Sequence, residues 1–295
     1  MDRRRLLLGL IALSVLVPLG YELGKLEMES IKSKEFRNMI RDWSTKFSRP
    51  YYADREFDDG HAHFLRPKNK QELEQILEAL VNKTDRNALT DWGYGVKKVF
   101  SYNDLVELAK NYSGKFKIEV NGPVTKVRYN DKEILLYRSQ ETRPKQPLHI
   151  TAEGCDITIQ DSLDAEKTIE LIRKNNGTVI IEHPCTKTHP ILQYIPTDDK
   201  DDEYVKKLLP LVNAVEVFNS MNTLWMYKSN ERAKEMFFEF NSKGNSLAAV
   251  ASSDMHYGSG IGKDPHFYLV HVGRSGIYLP KHDLKSLTGR EILEL

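Results

Sequence analysis

The pattern of apolar and polar residues predicts alternating helices and strands along most of the chain. Apolar residues recur at three- and four-residue spacing over 70–81, which is typical of an amphipathic helix. Residues 116–120 alternate strictly and precede Asn121-Gly122, which predicts a strand that turns into an antiparallel neighbour. The same criteria predict helices at 102–112, 163–175, 203–209 and 230–242, and strands at 88–90, 115–128, 133–137, 178–182, 214–218 and 247–251, with a further strand beginning at 148.

From residue 162 onward the predicted helices and strands alternate regularly. This order predicts an α/β fold with a parallel sheet and crossover helices, which closes into a barrel when it is continued. In such barrels the functional groups lie at the carboxyl ends of the strands. Several apolar runs of this chain end in residues that bind metals, at Asp91, Glu182-His183, Glu216 and 254–256. We therefore expect these side chains to share one end of the barrel.

Two histidines two residues apart, His61 and His63, stand at the mouth of the first predicted core strand. In an extended segment such residues point to the same side, so the two imidazoles would face one point. Further nitrogen and oxygen donors follow along the chain. They are His149, His183 and His256, and Asp91, Glu141, Glu216 and Asp254. Mixed donor sets of this kind suit divalent zinc, manganese or iron, which are the cofactors we expect.

Donors from several strands can hold two ions close together with a bridging carboxylate, for which Glu141 is the candidate. Two such ions lower the pKa of a shared water and stabilise the attacking and leaving oxygens of a phosphoryl displacement. This chemistry needs no nucleophilic side chain. The sequence accordingly contains no G-x-S-x-G elbow, no P-loop and no G-x-G-x-x-G that opens a helix after a strand.

Six segments between residues 57 and 257 resemble, in order, the motifs of the PHP (polymerase and histidinol phosphatase) superfamily. Asp59-Gly60-His61-Ala62-His63 resembles its D-x-H-x-H opening, 88–93 its T-D-H strand end, and 137–156 its G-x-E and H-x-L-A-x-G segments. Glu182-His183-Pro184 resembles its A-H-P segment, 215–219 its E-V-x-N strand, and Ser253-Asp254-Met255-His256 its closing S-D-x-H. The resemblance implies a distorted (βα)7 TIM-like barrel with a metal centre that hydrolyses phosphate esters.

Carried over residue by residue, the resemblance implies seven metal ligands. They are His61, His63, Glu141, His149, His183, Asp254 and His256. Two departures from the superfamily motifs remove ligands from one metal position. Trp92 stands where the superfamily has the T-D-H histidine, and 64–70 contains no histidine or aspartate. We therefore expect one or two ions rather than three, and the recruitment of Asp91 stays open.

The leading hypothesis is a metal-dependent phosphoesterase, a phosphatase or a phosphodiesterase, with Glu141, His183 and Asp254 in catalytic roles. Asp254 is then a ligand able to accept a proton, and Glu216 orients a ligand through hydrogen bonds. Candidate substrate contacts are Arg143, Lys187 and Trp92, two of them cationic and able to neutralise a phosphate. The expected partner is a small phosphorylated substrate, and nucleic acid is expected only as a substrate.

Two other hypotheses stay open at the level of sequence. An amidohydrolase also opens with H-x-H, but it uses a bridging lysine and a lone final aspartate, whereas this chain closes with Asp254-x-His256. A degenerate barrel could instead bind a metal or a ligand at the cell envelope without turnover. Trp92 favours this last hypothesis, because an indole in place of a ligand closes a metal position or forms a stacking wall.

The N-terminus predicts export or membrane anchoring. Arg3-Arg4-Arg5 precedes an apolar run over 6–19, which is the layout of a signal peptide or a signal anchor. Since no small-x-small cleavage site precedes Glu22, an anchor is favoured, and either form places the domain on the extracytoplasmic side. We predict a signal segment at 1–21, a helical lead-in at 22–55 and the barrel domain at 56–295.

Composition adds three limits. A chain of 295 residues with 40% hydrophobic residues can bury one large core. Its formal net charge of +1 gives no overall attraction to nucleic acid. Cys155 and Cys185 are interpreted as small buried apolar residues, and the acidic run 198–203 as a solvated loop.

Overall fold

The computed structural model describes residues 55–92, 99–189, 193–219, 227–256 and 276–280. All of them belong to one compact unit of the chain. The predicted signal segment 1–21 and almost all of the predicted lead-in 22–55 lie outside the described residues. Within the described ranges, no helix is both long and apolar enough to cross a membrane.

The described residues form fourteen strands, five α-helices and a 3-10 turn at Leu209–Leu211. The strands are β1 (Arg55–Asp59), β2 (Ala62–His63), β3 (Arg86–Trp92), β4 (Lys117–Asn121), β5 (Val124–Tyr129), β6 (Lys132–Thr142), β7 (His149–Glu153), β8 (Thr178–Glu182), β9 (Thr186–His189), β10 (Gln193–Pro196), β11 (Ala214–Asn219), β12 (Ala248–Ser252), β13 (Met255–His256) and β14 (Ile277–Pro280). The helices are α1 (Lys70–Lys83), α2 (Tyr102–Lys110), α3 (Ala165–Lys174), α4 (Asp199–Leu208) and α5 (Tyr227–Ser242).

Most of these strands form one curved sheet in the order β12-β11-β8-β7-β6-β3-β1-β14, with the β4–β5 hairpin added along β6. Beyond β12 the chain returns to β1. Ser253 N–H donates to Asp59 Oδ1 at 2.9 Å, and Asp254 N–H donates to the His61 carbonyl at 2.9 Å. β13 then pairs with β2 in parallel. These contacts bring the two ends of the sheet together in a nearly closed barrel, as the alternation of helices and strands predicts.

Two strands of the main sheet contradict the prediction of a parallel sheet: β14, which pairs antiparallel with β1, and β7. β1, β3 and β6 pair in parallel, and so do β8, β11 and β12. β7, however, is antiparallel to both β6 and β8. The connection from β6 to β7 spans only residues 143–148, which is too short for the helical crossover that a parallel neighbour requires. β7 therefore begins at the edge of the barrel where its neighbours end.

The sequence locates most elements to within a few residues, but the prediction for the acidic run is wrong. The 198–203 segment is the start of α4 rather than a solvated loop. Asp198 accepts from the backbone N–H groups of Lys200 and Asp201, and the Asp201 carboxylate completes a capping box. Carboxylates in a first helical turn satisfy backbone donors and interact favourably with the helix dipole. The acidic residues thus begin the helix.

The largest apolar cluster lies around β7, β8 and β11, against α3, α4 and α5. Ile150, Ile181 and Val215 are fully buried in it, as expected for strands covered by helices on one face. Cys155 and Cys185 are both buried in this cluster, which confirms their interpretation as small buried residues. The opposite faces of these strands carry the polar side chains described next.

Candidate metal centre

At one edge of the barrel, the start of β7 meets the carboxyl ends of six other strands. They are β1, β3, β6, β8, β11 and β12. In a strand, side chains two residues apart share a face, so each strand contributes its last inward-facing residues to this edge. The resulting polar cluster is buried. Its members are His61, His63, Glu141, His149, Glu182, His183, Glu216 and Asp254, all at most 5% exposed.

His61 and His63 face one another, as the H-x-H spacing predicts. Their Nε2 atoms lie 2.9 Å apart. His63 Nδ1 lies 3.0 Å from the Thr90 carbonyl, which only accepts, so Nδ1 carries the proton and Nε2 presents a lone pair. The separation is that of a hydrogen bond whose direction depends on the His61 tautomer, and it also lets both nitrogens face one ion.

His61 lies between two carboxylates. Its Nδ1 is 3.3 Å from Glu182 Oε2, and its Nε2 is 3.7 Å from Asp254 Oδ1. Burial lowers the pKa of His61, but the charges of Glu182 and Asp254 outweigh this and raise it well above its usual value. His61 therefore favours a positive charge, either on its own ring or on an ion held beside it.

Glu141 connects the histidine pair to a second group. Its Oε2 lies 3.4 Å from His63 Nε2, while its Oε1 contacts His149 Nδ1 and lies 3.7 Å from His183 Nε2. Burial raises the pKa of Glu141, but His149, His183 and His63 outweigh this and hold it well below its usual value. Burial likewise lowers the pKa of His183, whereas Glu141, Asp254 and Glu216 raise it to about 9.

These side chains form three groups, two of which share His61, and within each group the ligand atoms lie within 4.8 Å of one another. The groups are His61–His63–Asp254, Glu141–His149–His183 and His61–Glu182–Glu216. Three buried atoms of the cluster, His61 Nδ1, Glu141 Oε1 and Glu182 Oε2, lack a hydrogen bond of normal geometry. Buried polar atoms are rarely left so, and imidazole with carboxylate is the donor set of zinc, manganese and iron. The residues present therefore fit one or more divalent ions.

The backbone at two of these residues is strained. His183 has φ 27° and Asp254 has φ 46°, in the left-handed region that non-glycine residues seldom adopt. Such conformations cost about 1–3 kcal/mol each and persist only when the surroundings hold them. Here the Glu216 carboxylate accepts the His183 N–H at 2.7 Å, and Asn219 bonds both Glu216 and Asp254 at 3.0 Å. Glu216 thus makes the orienting contacts proposed for it, and it is also a member of the third group.

The remaining sequence candidates lie at or beyond the rim of the cluster. Asp91 belongs to none of the three groups; its neighbour Trp92 faces the cluster, and consecutive strand residues point to opposite faces. His256 is placed by its backbone alone, opposite His63 in the β2–β13 pair, and its side chain lies outside the described part of the structure. Lys187 Nζ lies 2.5 Å from Asp201 and 3.1 Å from Asp198, so two acids already balance its charge.

Trp92 and Arg143 lie next to each other at the rim. Trp92 pairs with Glu141 in the β3–β6 ladder, and its indole Nε1–H donates to His63 Nε2 at 3.0 Å. The Arg143 guanidinium lies over the indole ring, 5.7 Å from its centre. Arg143 follows Glu141 by two residues and is exposed, which places a cation above the cluster.

The sequence predicts Glu182 among the donors at one end of the barrel but assigns it no role in the site. The resemblance aligns Glu182 with the alanine of A-H-P, so it implies no role there. The sequence signal for Glu182 is its position, because its carboxylate directly follows the apolar run 179–181 and precedes His183. In the structure Glu182 is 1% exposed and faces His61.

Replacing Glu182 by glutamine should weaken metal binding about 10- to 100-fold, the usual cost of losing a carboxylate that supports a metal-binding histidine. The fold should survive, because glutamine has nearly the same volume. Zinc affinity by isothermal titration calorimetry tests this, with Glu170→Gln on the exposed face of α3 as the matched control. An unchanged zinc affinity in Glu182→Gln would remove Glu182 from the site.

Comparisons with known proteins give distant structural likenesses. No family model matches the chain, and no curated protein matches it. The fold is similar to the crystal structure of the lesion-specific endonuclease EndoQ from Pyrococcus furiosus, with TM-score 0.41 and 13% identity over 68% of this chain and 48% of that chain. It is also similar to Endonuclease Q in complex with a 27-mer duplex that carries an abasic lesion, with TM-score 0.33 and 14% identity over 56% of this chain and 43% of that chain. The chain thus spans about half the length of these proteins, and its functional interpretation comes from the side chains of the cluster.

Proposed function

We propose that this protein is a metal-dependent phosphoesterase that hydrolyses its substrate with an activated water. The observation that carries the proposal is the pair of buried groups His61–His63–Asp254 and Glu141–His149–His183, linked by the 3.4 Å contact between Glu141 Oε2 and His63 Nε2. The cofactors are divalent zinc, manganese or iron, one or two per chain. Such ions supply a Lewis acid and lower the pKa of a coordinated water.

The chain's own residues position the reaction. Asn219 Nδ2 donates to Asp254 Oδ2 at 3.0 Å, which leaves Asp254 Oδ1 directed at His61 and His63. Oδ1 is therefore the oxygen placed to accept a proton from the attacking water. Glu141 holds its negative charge because neighbouring histidines keep its pKa low, and this charge would help to balance that of a bound divalent ion.

Arg143 is the candidate for substrate binding. It directly follows the end of β6, two residues after Glu141, and its exposed guanidinium can bind two oxygens of a phosphate. Lys187 is a weaker candidate because Asp198 and Asp201 bind its ammonium group. We propose a small phosphorylated substrate, with nucleic acid as a second substrate class. The signal or anchor pattern at 1–21 supports an extracytoplasmic location.

The proposal is tested by turnover. The purified protein, loaded separately with zinc, manganese and iron, is assayed on a phosphomonoester, a phosphodiester and DNA duplexes with and without an abasic site. We expect metal-dependent release of product from at least one phosphate ester, lost on chelation and restored by metal. A protein that binds metal but hydrolyses none of these esters would contradict the proposal.

A second candidate function is metal or ligand binding without turnover, in a degenerate barrel. The contact between the Trp92 indole and His63 favours it, because that hydrogen bond uses a lone pair that a metal would need. The turnover assay separates the two functions, since a binding protein would retain metal and release no product.

A further inference from the structure

Trp92 contacts His63 of the cluster through its indole ring. Its indole Nε1–H lies 3.0 Å from His63 Nε2, and the two ring centres are 4.9 Å apart. Trp92 is the last residue of β3 and lies opposite Glu141 in the ladder, so its side chain is fixed beside the cluster. An indole N–H is a donor without acceptor capacity, and it cannot bind a cation.

His63 has only one lone pair to offer. Its Nδ1 is committed to the Thr90 carbonyl at 3.0 Å, so Nε2 is the acceptor of the ring. An imidazole nitrogen carries a single lone pair in the ring plane, which serves either the indole N–H or a metal. A metal ion bound by His61, His63 and Asp254 and the Trp92–His63 hydrogen bond therefore exclude each other.

The Trp92–His63 hydrogen bond uses no ligand atom of the second group, Glu141–His149–His183. The indole donates to His63, whereas Glu141, His149 and His183 bring their ligand atoms together on the other side of Glu141. The Arg143 guanidinium over the indole ring adds a cation–π attraction, which holds the ring in place. Displacing the indole thus costs a hydrogen bond and disturbs the contact with Arg143.

We propose that Trp92 is a positioning residue that makes the two metal positions unequal. The Glu141–His149–His183 position fills first, and the His61–His63–Asp254 position fills only when the indole leaves His63. This inference rests on the proposed metal centre and adds an order of filling to it. A neutral hydrogen bond contributes about 0.5–1.5 kcal/mol, so its loss should strengthen binding of the second equivalent by about 2- to 12-fold.

Calorimetric titration of zinc into the full chain and its Trp92→Phe variant tests the order. Phenylalanine keeps an aromatic ring beneath Arg143 but cannot donate. We expect the first equivalent to bind both proteins alike and the second to bind Trp92→Phe about 2- to 12-fold more tightly. Tyr102→Phe is the matched control, because it removes an aromatic donor that bonds Thr125 at 2.8 Å, away from the cluster; its zinc affinities should equal those of the parent.

Fluorescence gives a second readout that does not depend on affinity. The chain has three tryptophans, so Trp43→Phe with Trp225→Phe leaves Trp92 as the single tryptophan, whose emission is excited selectively at the red edge of the absorption band. Its emission should stay constant over the first zinc equivalent and shift over the second. A shift over the first equivalent, or equal second affinities in the parent and Trp92→Phe, would overturn the inference and leave the metal centre standing. Absence of zinc binding in both proteins would overturn the metal centre as well.

Discussion

Replacing His61 and His63 by alanine should abolish hydrolysis while leaving the barrel folded. The two imidazoles belong to two of the three ligand groups. His63 also links Glu141 to the His61–His63–Asp254 group. Loss of one charge-stabilising group from an active site costs about 10²–10³-fold in rate, so loss of two ligands should lower kcat by about a thousandfold or more.

The measurement is kcat with saturating metal, together with the circular dichroism spectrum and melting temperature of each protein. The control is Lys167→Ala/Glu170→Ala, which breaks an exposed ion pair on α3 and should leave the rate unchanged. Full activity in the His61→Ala/His63→Ala protein would remove the histidine pair from the mechanism. If the double variant does not fold, the single variants His61→Ala and His63→Ala test the same claim. Each of them should still lower kcat by about 10²-fold or more.

Glu141→Gln should have the second largest effect. Glu141 contacts His63 with one oxygen and His149 and His183 with the other, so its charge is shared by both metal positions. Glutamine preserves the shape and removes that charge. We expect the loss of about one equivalent of bound metal and a fall in kcat of about 10²–10³-fold.

Metal content and kcat are measured on the same preparations of the parent and Glu141→Gln. The matched control is Glu133→Gln, since Glu133 lies on the same strand in exposed ion pairs with Lys126 and Arg128. Its metal content and rate should equal those of the parent. Two retained equivalents with an undiminished rate in Glu141→Gln would show that Glu141 does not join the two positions.

Local sequence signals were sufficient for most elements and for the core of the site. The 70–81 periodicity predicted α1, and the alternation that ends at Asn121-Gly122 predicted the β4–β5 hairpin, where Gly122 takes φ 57°. The H-x-H spacing predicted that His61 and His63 would face one point. These features depend on neighbours within a few residues, which the sequence displays directly.

Features that depend on tertiary pairing could not be predicted in the same way. The direction of β7 depends on which strands flank it, and that direction brings His149 from the start of its strand to the ends of the others. Glu182 is an acid after an apolar run, and only its position opposite His61 makes it part of the site. The contact of Trp92 with His63 joins residues 29 positions apart. In each case the deciding neighbour is distant in sequence.

The central claim is that the buried cluster is a metal centre, and elemental analysis tests it most directly. The purified protein is incubated with zinc, manganese or iron, freed of loosely bound ions and analysed beside His61→Ala/His63→Ala. Two equivalents in the parent, reduced to one or none in the variant, is the result that we expect. Equal metal content in both proteins, or none in the parent after incubation with each metal, would contradict the claim.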